Sequence, residues 1–334
     1  MSEKLSKGKK SSRSKITIQV SIGILISGLT LWLSFRTISL SDVLAVFSQV
    51  NWFFILLGLG CVLINNLSKA WRWAFLIGSS DKKISYKSIL AALMIGQMIN
   101  LVVPSRLGEV TRAIQVGGLG PGRSFILGTI VLEKVLDMLG YGVLFVFMLL
   151  TVTLPDWLRQ TGIGFLFMTL LITGSLAFIV FKQDWFRKIL DFCFRIIPSR
   201  FRNFLVPRIL AGLNSLSQLK DWKTLVVLVL WTSFIWLTAV FTNYLIAQSL
   251  RISLPWSAYV LILLSLQAGI SIPSVPGRIG VFEYICVLVL ALYGVEKQIA
   301  VSYGLLLHIV VLLPVIMTGV VLMGNPGLWQ KKAL

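Results

Sequence analysis

Side chains that usually do chemistry are scarce in this chain. Its 334 residues include one histidine, three cysteines and twelve acidic residues, and charged residues make up only 13%. The sequence has no Ser/His pair, no paired-aspartate diphosphate motif and no phosphate-binding P-loop. These gaps disfavour ATP hydrolysis and soluble enzyme chemistry, so we expect a protein that is not an enzyme and needs no cofactor.

Two further classes are disfavoured by spacing and by charge. Cys61, Cys193 and Cys286 are far apart, which gives neither a zinc motif nor a disulfide framework. The net charge of +19 lies mostly outside the apolar runs, and no soluble basic face is long enough for a nucleic-acid partner. The positive charge is better explained by membrane orientation and by anionic lipid.

Long apolar runs dominate the rest of the sequence. Hydrophobic residues make up 57% and the mean hydropathy is +0.89, more than a soluble surface tolerates. Four runs approach or exceed the roughly 20 residues that cross a bilayer as a helix: Ile16–Phe35, Gly162–Phe181, Thr224–Leu250 and Ile299–Gly324. Because backbone polar groups must be paired in lipid, we predict an all-α polytopic membrane protein.

Basic residues predict the orientation. Residues 1–15 carry six basic residues and one acidic residue, and residues 182–223 carry nine basic and three acidic ones. The positive-inside rule therefore places both termini and loop 182–223 in the cytoplasm of a bacterial inner membrane. We expect a basic tail over 1–15, a retained first helix, one transmembrane domain over 16–325 and a cytoplasmic tail over 326–334.

Parity of the crossings predicts about six full spans and two re-entrant or short helical hairpins. The first hairpin contains Ile89–Val103, and the second contains Trp256–Ile272 and Val281–Tyr293. Two sequence halves, about 16–152 and 162–324, then each hold three full spans. An odd number of spans per half makes the second half inverted, as in many secondary transporters.

The two hairpin breaks resemble each other. Pro104-Ser-Arg-Leu-Gly108 matches Pro276-Gly-Arg-Ile-Gly280 at proline, arginine, the aliphatic residue and glycine. A glutamate follows each break and a glutamine precedes it. The helix-breaking residues are Pro104, Gly108, Pro273, Pro276, Gly277 and Gly280. The match supports a 3+3 inverted repeat with irregular backbone at membrane depth.

Charged residues within apolar helices need a reason, because each costs about 2.5–3.5 kcal/mol to insert. Glu133 and Asp137 share a helix face, and Lys134 is spaced to pair with Asp137. This group is either a structural ion pair or part of a polar vestibule. Lys69 and Arg72 either snorkel to the lipid headgroups or belong to the same polar group. Asn65 and Asn66 lie deeper in the membrane.

The hairpins carry the other candidate substrate-binding residues. They are Gln97, Asn100, Arg106, Glu109 and Arg112 in the first hairpin, and Gln267, Ser274, Arg278 and Glu283 in the second. A planar, permanently charged guanidinium suits a phosphate, although either break arginine could instead clamp a glutamate or helix-end carbonyls. The single histidine, His308, is interpreted as a buried, hydrogen-bonded residue, with a proton-coupling role left open.

Residues 183–218 mix aromatic and basic residues, which is typical of an amphipathic helix on an anionic inner leaflet. Pro198 and Pro207 are expected to break this helix into pieces. A positive topology loop with aromatic anchors explains the same pattern.

Three motifs in this order resemble one known family. They are Pro104-Ser-Arg-Leu-Gly-Glu-Val-Thr-Arg112, Leu132-Glu-Lys-Val-Leu-Asp137 and Pro273-Ser-Val-Pro-Gly-Arg-Ile-Gly-Val-Phe-Glu283, with Asn100 before the first. The chain resembles, over about 16–325, the membrane domain of bacterial lysylphosphatidylglycerol synthetases and its stand-alone flippase-like relatives. The resemblance implies lipid movement between leaflets, without the soluble domain that makes the lipid.

Three hypotheses follow. The first is a flippase-like transporter of a polar or phosphate-headed lipid, in which Arg106 and Arg278 meet the phosphate from the two sides. Four carboxylates would orient the arginines or bind an amine: Glu109, Glu133, Asp137 and Glu283. The second is a membrane-embedded lipid-modifying transferase, and the third is a non-catalytic partner of a lipid- or glycan-modifying enzyme. No metal site is expected.

The predicted topology can be tested by cysteine labelling. In a cysteine-free background, Asp42→Cys and Asp156→Cys should react with an impermeant thiol reagent added outside, because loops 36–51 and 153–161 are predicted to be external. Ser217→Cys should react only after the membrane is permeabilised. External labelling of Ser217→Cys would overturn the orientation.

Overall fold

A computed structural model describes residues 21–78, 84–103, 107–152, 156–182, 185–186, 188–189, 192, 199–269 and 274–324. These residues form α-helices, two short 3-10 turns and connecting segments, without a strand. The helices in the first part are α1 (Ser21–Phe35), α2 (Leu40–Ser48), α3 (Trp52–Ile77), α4 (Tyr86–Val102), α5 (Leu107–Gly117) and α6 (Arg123–Thr151). Those that follow are α7 (Asp156–Phe181), α8 (Ser199–Asn214), α9 (Trp222–Ser249), α10 (Trp256–Gly269), α11 (Val281–Ala291) and α12 (Lys297–Met323).

Four helices in the described part of the chain are long and apolar enough to cross a membrane. They are α3, residues 159–181 of α7, α9 and α12. Helices α1, α4 and α10 are shorter apolar helices, and α6 is long but carries charged residues. The all-helical membrane class agrees with the sequence, whereas the count of six spans and the inverted repeat stay predictions.

Helix α2 lies within residues 36–51, which the sequence predicts only as an external loop. Ser39 caps it: the Ser39 hydroxyl accepts from the Asp42 N–H at 3.2 Å, and the Asp42 carboxylate accepts from the Ser39 N–H at 3.0 Å. Hydrogen bonding to the carboxyl by Ser39, first by its side chain and then by its backbone N–H, lowers the pKa of Asp42. The capping-box pattern Ser-x-x-Asp was the available sequence signal.

The prediction that Pro207 breaks the basic amphipathic segment is wrong. Pro207 lies inside α8, which runs without interruption over Ser199–Asn214. An interior proline removes one backbone hydrogen bond and bends a helix, but it need not end one. Pro198, Cys193 and the two basic tails lie outside the described residues.

The described residues divide into two compact units. Of these residues, unit 1 contains those within 21–62, 100–103 and 240–314, and unit 2 contains those within 63–99, 107–239 and 315–324. The first sequence half and the second each contribute to both units. The predicted halves 16–152 and 162–324 therefore remain a statement about sequence.

Unit 2 is built around α6, which packs against α5, α7 and α8. Its buried core joins α3, α4, α5 and α6 through small and large apolar residues: Ala70, Trp73, Ile77, Ile89, Ala92, Leu93, Ala113, Val116, Ile126 and Ile130. A second cluster includes Leu132 and Leu136 of α6 with Leu228 of α9. This packing fixes the face of α6 that carries its acidic residues.

In unit 1, α10 and α11 pack together on either side of the second break. The break ends in a tight turn in which Gly277, Arg278 and Gly280 have φ values of 74°, 61° and 92°. Gly280 also approaches α1 so closely that an added Cβ would lie 2.6 Å from the Ser27 carbonyl oxygen. Only glycine satisfies both demands at this position.

The contact between α6 and α8 predicts an effect of Gly128→Ala. An added Cβ at Gly128 would overlap the Gly212 carbonyl oxygen and the Ser215 hydroxyl, so the two segments must separate. We expect a loss of about 1–3 kcal/mol of stability, measured by thermal unfolding in detergent. Gly164→Ala is the matched control, because open space surrounds Gly164 in α7 and alanine favours helix by up to about 1 kcal/mol. Equal melting temperatures for the two variants would contradict this packing.

Candidate functional site

Unit 2 contains a cluster of ionisable side chains on three helices, which we call the charge cluster. Its members are Lys69 and Arg72 on α3, Glu109 and Arg112 on α5, and Glu133, Lys134 and Asp137 on α6. Burial in apolar helices makes each charge costly unless an opposite charge lies beside it. The members are therefore best understood as pairs.

The most buried pair joins Arg112 and Glu133. Arg112 donates from both terminal nitrogens, at 3.2 Å to Oε1 and 2.5 Å to Oε2 of Glu133. The guanidinium also lies over the Trp73 ring, 3.9 Å from its centroid. Gly96 makes room, because an added Cβ there would lie 2.7 Å from Arg112 Cγ. Two hydrogen bonds and one aromatic face thus hold this guanidinium in a single orientation.

Arg72 forms the second pair and does not snorkel. It is only 1% exposed, and it donates to Asp137 Oδ1 at 2.7 Å and to the Thr232 hydroxyl at 3.0 Å. Because Asp137 forms its ion pair with Arg72, the predicted pairing of Lys134 with Asp137 is wrong. A guanidinium buried beside Asp137 is a stronger partner than a half-exposed ammonium.

Lys134 is instead the loosely held cation of the cluster. Its ammonium lies 3.6 Å from Glu133 Oε1 and 3.9 Å from Glu109 Oε1, and its side chain is 50% exposed. Both distances exceed a normal hydrogen bond, so these contacts are weak and electrostatic. Lys134 is therefore able to turn towards another anion without breaking a buried bond.

Two guanidinium nitrogens in this cluster have spare donor capacity. Within the described residues, Nε of Arg72 and Nε of Arg112 are buried and have no hydrogen-bond partner. An unsatisfied buried donor is uncommon and is a natural place for an acceptor oxygen from a ligand or water. The charge cluster thus offers hydrogen-bond donors as well as charge.

The remaining candidates of unit 2 and its neighbouring segments are dispersed. Asn66 is buried on α3, while Gln97 and Asn100 are half-buried on α4 and Gly108 is buried in the first turn of α5. Asn65 donates to the Ile235 carbonyl at 2.6 Å, which ties α3 to α9. Pro104 and Arg106 lie outside the described residues, so the phosphate contact predicted for Arg106 stays a prediction.

Candidates from the second hairpin fall in unit 1. Gln267 on α10, with Ser274, Gly277 and Arg278, is half-buried, and Pro276 is exposed. Pro273 lies outside the described residues. Glu283 is buried and pairs with His308 at 2.6 Å, while its second oxygen accepts from the Gly280 N–H at 2.7 Å. The interpretation of His308 as a buried, hydrogen-bonded histidine agrees with this geometry.

Sequence reasoning missed Trp73 and Thr232. Each joins the charge cluster only because another helix brings an arginine against it, and a contact between helices leaves no periodic signal. In the described ranges, no group of three His, Cys, Asp or Glu side chains lies close enough together to hold a metal ion.

A basic aromatic patch lies at the end of α7. Phe178, Phe181, Lys182, Trp185 and Lys188 line an open depression. Lysines beside aromatic rings are typical of contact with anionic headgroups at a membrane surface. This patch belongs to the loop for which the sequence predicts anionic-lipid binding.

The helices and the charge cluster together define a multi-pass α-helical membrane protein. The family model described as the Lysylphosphatidylglycerol synthase TM region matches residues 20–319. The chain therefore belongs to that family, which confirms the resemblance drawn from its motifs and connects it with membrane lipid. A search of curated proteins found no match.

The Arg112–Glu133 pair predicts a strong effect of Glu133→Gln. Removing one charge leaves a buried guanidinium without its counter-ion, which should cost about 3–5 kcal/mol in thermal or denaturant unfolding. The double variant Arg112→Met with Glu133→Leu should recover most of that loss. Asp156→Asn, at the exposed start of α7, is the control and should cost less than about 1 kcal/mol. A Glu133→Gln protein as stable as the parent would show that the pair is not buried.

Proposed function

We propose that this chain is a lipid transporter of the flippase type, which moves a polar, phosphate-headed lipid between leaflets without making or breaking a covalent bond. It would act in a bacterial inner membrane with both termini in the cytoplasm. The charge cluster carries this proposal. Membership of a membrane-lipid family supports the substrate class, and the scarcity of catalytic side chains supports the absence of chemistry.

The charge balance of the cluster favours an anionic headgroup. Four cations stand against three carboxylates, so one positive charge remains in excess. An excess charge among apolar helices is costly, and a phosphodiester would neutralise it. A lipid supplies that anion together with acyl chains that stay in the bilayer.

Within the cluster, the members divide by role. The Arg112–Glu133 and Arg72–Asp137 pairs would form the fixed frame, because they are buried and hydrogen-bonded. Lys134 would be the mobile group that meets the phosphate, since it is half exposed and only loosely held. The spare Nε–H groups of the frame would donate hydrogen bonds to oxygens of the headgroup.

The basic aromatic patch would have a different task. Lys182 and Lys188 would hold anionic lipid at the cytoplasmic surface, where the inner leaflet is negatively charged. Such a patch raises the local concentration of lipid without selecting the lipid to be moved. A separate lipid-modifying enzyme would supply the substrate to the same leaflet.

The proposal is tested with Lys134→Gln in liposomes. Purified protein and a fluorescent phosphatidylglycerol analogue are reconstituted, and movement is followed by the fraction of probe that a membrane-impermeant quencher reaches. Losing the charge-assisted contact should slow movement by about tenfold or more. Stability should change by less than about 1 kcal/mol, because the pairs of Lys134 are partly exposed.

Lys87→Gln is the matched control, because Lys87 is exposed at the start of α4, outside the charge cluster. It removes the same charge and should leave the rate unchanged. An analogue with an uncharged sugar headgroup should move more slowly than the anionic one. Parent protein that moves lipid no faster than empty liposomes would sink the proposal, and equal rates for Lys134→Gln and the parent would remove Lys134 from it.

A further inference from the structure

The pair formed by Glu283 and His308 in unit 1 has a hydrogen-bond arrangement that its charges alone do not explain. His308 Nδ1 lies 2.6 Å from Glu283 Oε1, and His308 Nε2 lies 2.7 Å from the Gly277 carbonyl oxygen. The second oxygen of Glu283 accepts from the Gly280 N–H at 2.7 Å. One histidine and one glutamate thus hold two points of the turn that ends the break.

These two contacts of His308 require one added proton. The Gly277 carbonyl can only accept, so His308 Nε2 must carry a hydrogen. A hydrogen must also lie between Nδ1 and Oε1, because two lone pairs 2.6 Å apart repel each other. It belongs either to the histidine or to the glutamate. In both cases the pair holds one proton more than a neutral imidazole beside a carboxylate.

We propose that the Glu283–His308 pair is a proton-binding site whose bound proton holds the turn from Gly277 to Gly280 against α12. When that proton leaves, the pair carries a net charge of minus one and the imidazole keeps a single hydrogen. The carboxylate is the stronger acceptor, so the remaining hydrogen goes to Nδ1. Nε2 then faces the Gly277 carbonyl with a lone pair, and this tether is lost.

The turn is suited to respond to that loss. Gly277, Arg278 and Gly280 all have positive φ values, and positive φ is strained for arginine. Ile279 is 48% exposed, so one side of the turn is uncovered. Other hydrogen bonds also hold the turn: Val275 N–H to the Ser27 hydroxyl at 3.1 Å, Arg278 N–H to the Val275 carbonyl at 2.9 Å, and Gly280 N–H to Glu283. Release therefore removes the hydrogen bond that joins Gly277 to α12 and leaves these other bonds in place.

Groups from the neighbouring helices pack against this pair. Phe282 stacks on the imidazole at 4.2 Å, and Gly304 lets α12 approach Glu283. Of the nearby ionisable groups, the Cys286 thiol on α11 interacts electrostatically with Glu283. The Tyr303 hydroxyl on α12 interacts with Cys286 and with Tyr259 on α10, and Arg278 follows Gly277 in the turn. Helix α1, which packs against Gly280, carries no ionisable side chain over Ser21–Phe35.

The inference extends the proposed function, on which its transport consequence rests. A turn that opens when a proton leaves would link lipid movement to the proton gradient across the membrane. The proton site itself does not depend on the identity of the lipid, so it can be tested without transport.

The first experiment uses the fact that His308 is the only histidine. The full chain is labelled with 15N-histidine, reconstituted in liposomes and studied by solid-state NMR from about pH 5 to about pH 9, a range that brackets the usual titration of histidine. At low pH, Nε2 should carry a hydrogen. At high pH, the hydrogen should be on Nδ1 and Nε2 should be bare. An imidazole that does not change over this range would overturn the proposal.

The second experiment uses Glu283→Gln as a variant without the exchangeable proton. The glutamine amide nitrogen can donate to Nδ1, and its oxygen can accept from the Gly280 N–H, so a neutral His308 still donates to Gly277. The variant should therefore keep the turn and lose its pH response. Its histidine should carry the hydrogen on Nε2 at every pH.

Opening of the turn is measured with Ile279→Cys in a background with Cys61, Cys193 and Cys286 replaced by alanine. The labelling rate of the otherwise wild-type protein is divided by the labelling rate of the Glu283→Gln variant. This ratio should rise by about tenfold from low to high pH, the factor expected for one lost tether. Dividing by the Glu283→Gln rate removes the pH dependence of the thiol reaction. A constant ratio would show that proton release does not open the turn.

Transport separates the two proposals. If the NMR and labelling responses appear in a protein that moves no lipid, the proton site stands and the proposed function fails. If lipid moves and the protonation of His308 does not change with pH, the proposed function stands and the proton site fails. Where both succeed, lipid movement by the parent should depend on pH and movement by Glu283→Gln should not.

Discussion

The cost of placing charge among apolar helices is the constraint on which this structure depends. Arg112 is only 4% exposed between α5 and α6, and the Glu133 carboxylate accepts hydrogen bonds from both of its terminal nitrogens. Without that carboxylate, the guanidinium would have to leave the helix packing or lose its charge-assisted bonds. The pair therefore fixes where α5 lies on α6. In this position the Arg112 guanidinium also packs on the face of the Trp73 ring.

The second hairpin meets a similar requirement with different chemistry. In the first half, the base lies on the short helix after the break and the acid lies on the next long helix. In the second half, the acid Glu283 lies on the short helix and His308 lies on the long one. An arginine never gives up its proton, whereas a histidine does so near neutral pH. The two breaks thus share a plan in sequence, while the described acid–base pair beside the second one contains a histidine in place of an arginine.

The sequence was a good guide where the physical signal is local. Apolar runs predicted α9 and α12 closely, because hydrocarbon leaves the backbone no alternative to helix. Pairing of charges was predicted less well. Lys134 was assigned to Asp137 from helix spacing, but Arg72 arrives from another helix and takes that carboxylate. The error at Pro207 has a different cause. Proline is a strong local signal for a helix end, but the packing of α8 keeps that helix continuous.

By itself, the sequence determined the membrane class, the family, the existence of two helix breaks and the set of residues that must be paired. Composition and periodicity carry that information because each span must be helical and apolar over its own length. Only the tertiary structure decided which charge meets which, that Lys134 is the loosely held cation, and that His308 faces two acceptors. Those outcomes depend on distances between helices far apart in the chain, and no spacing along one helix encodes them.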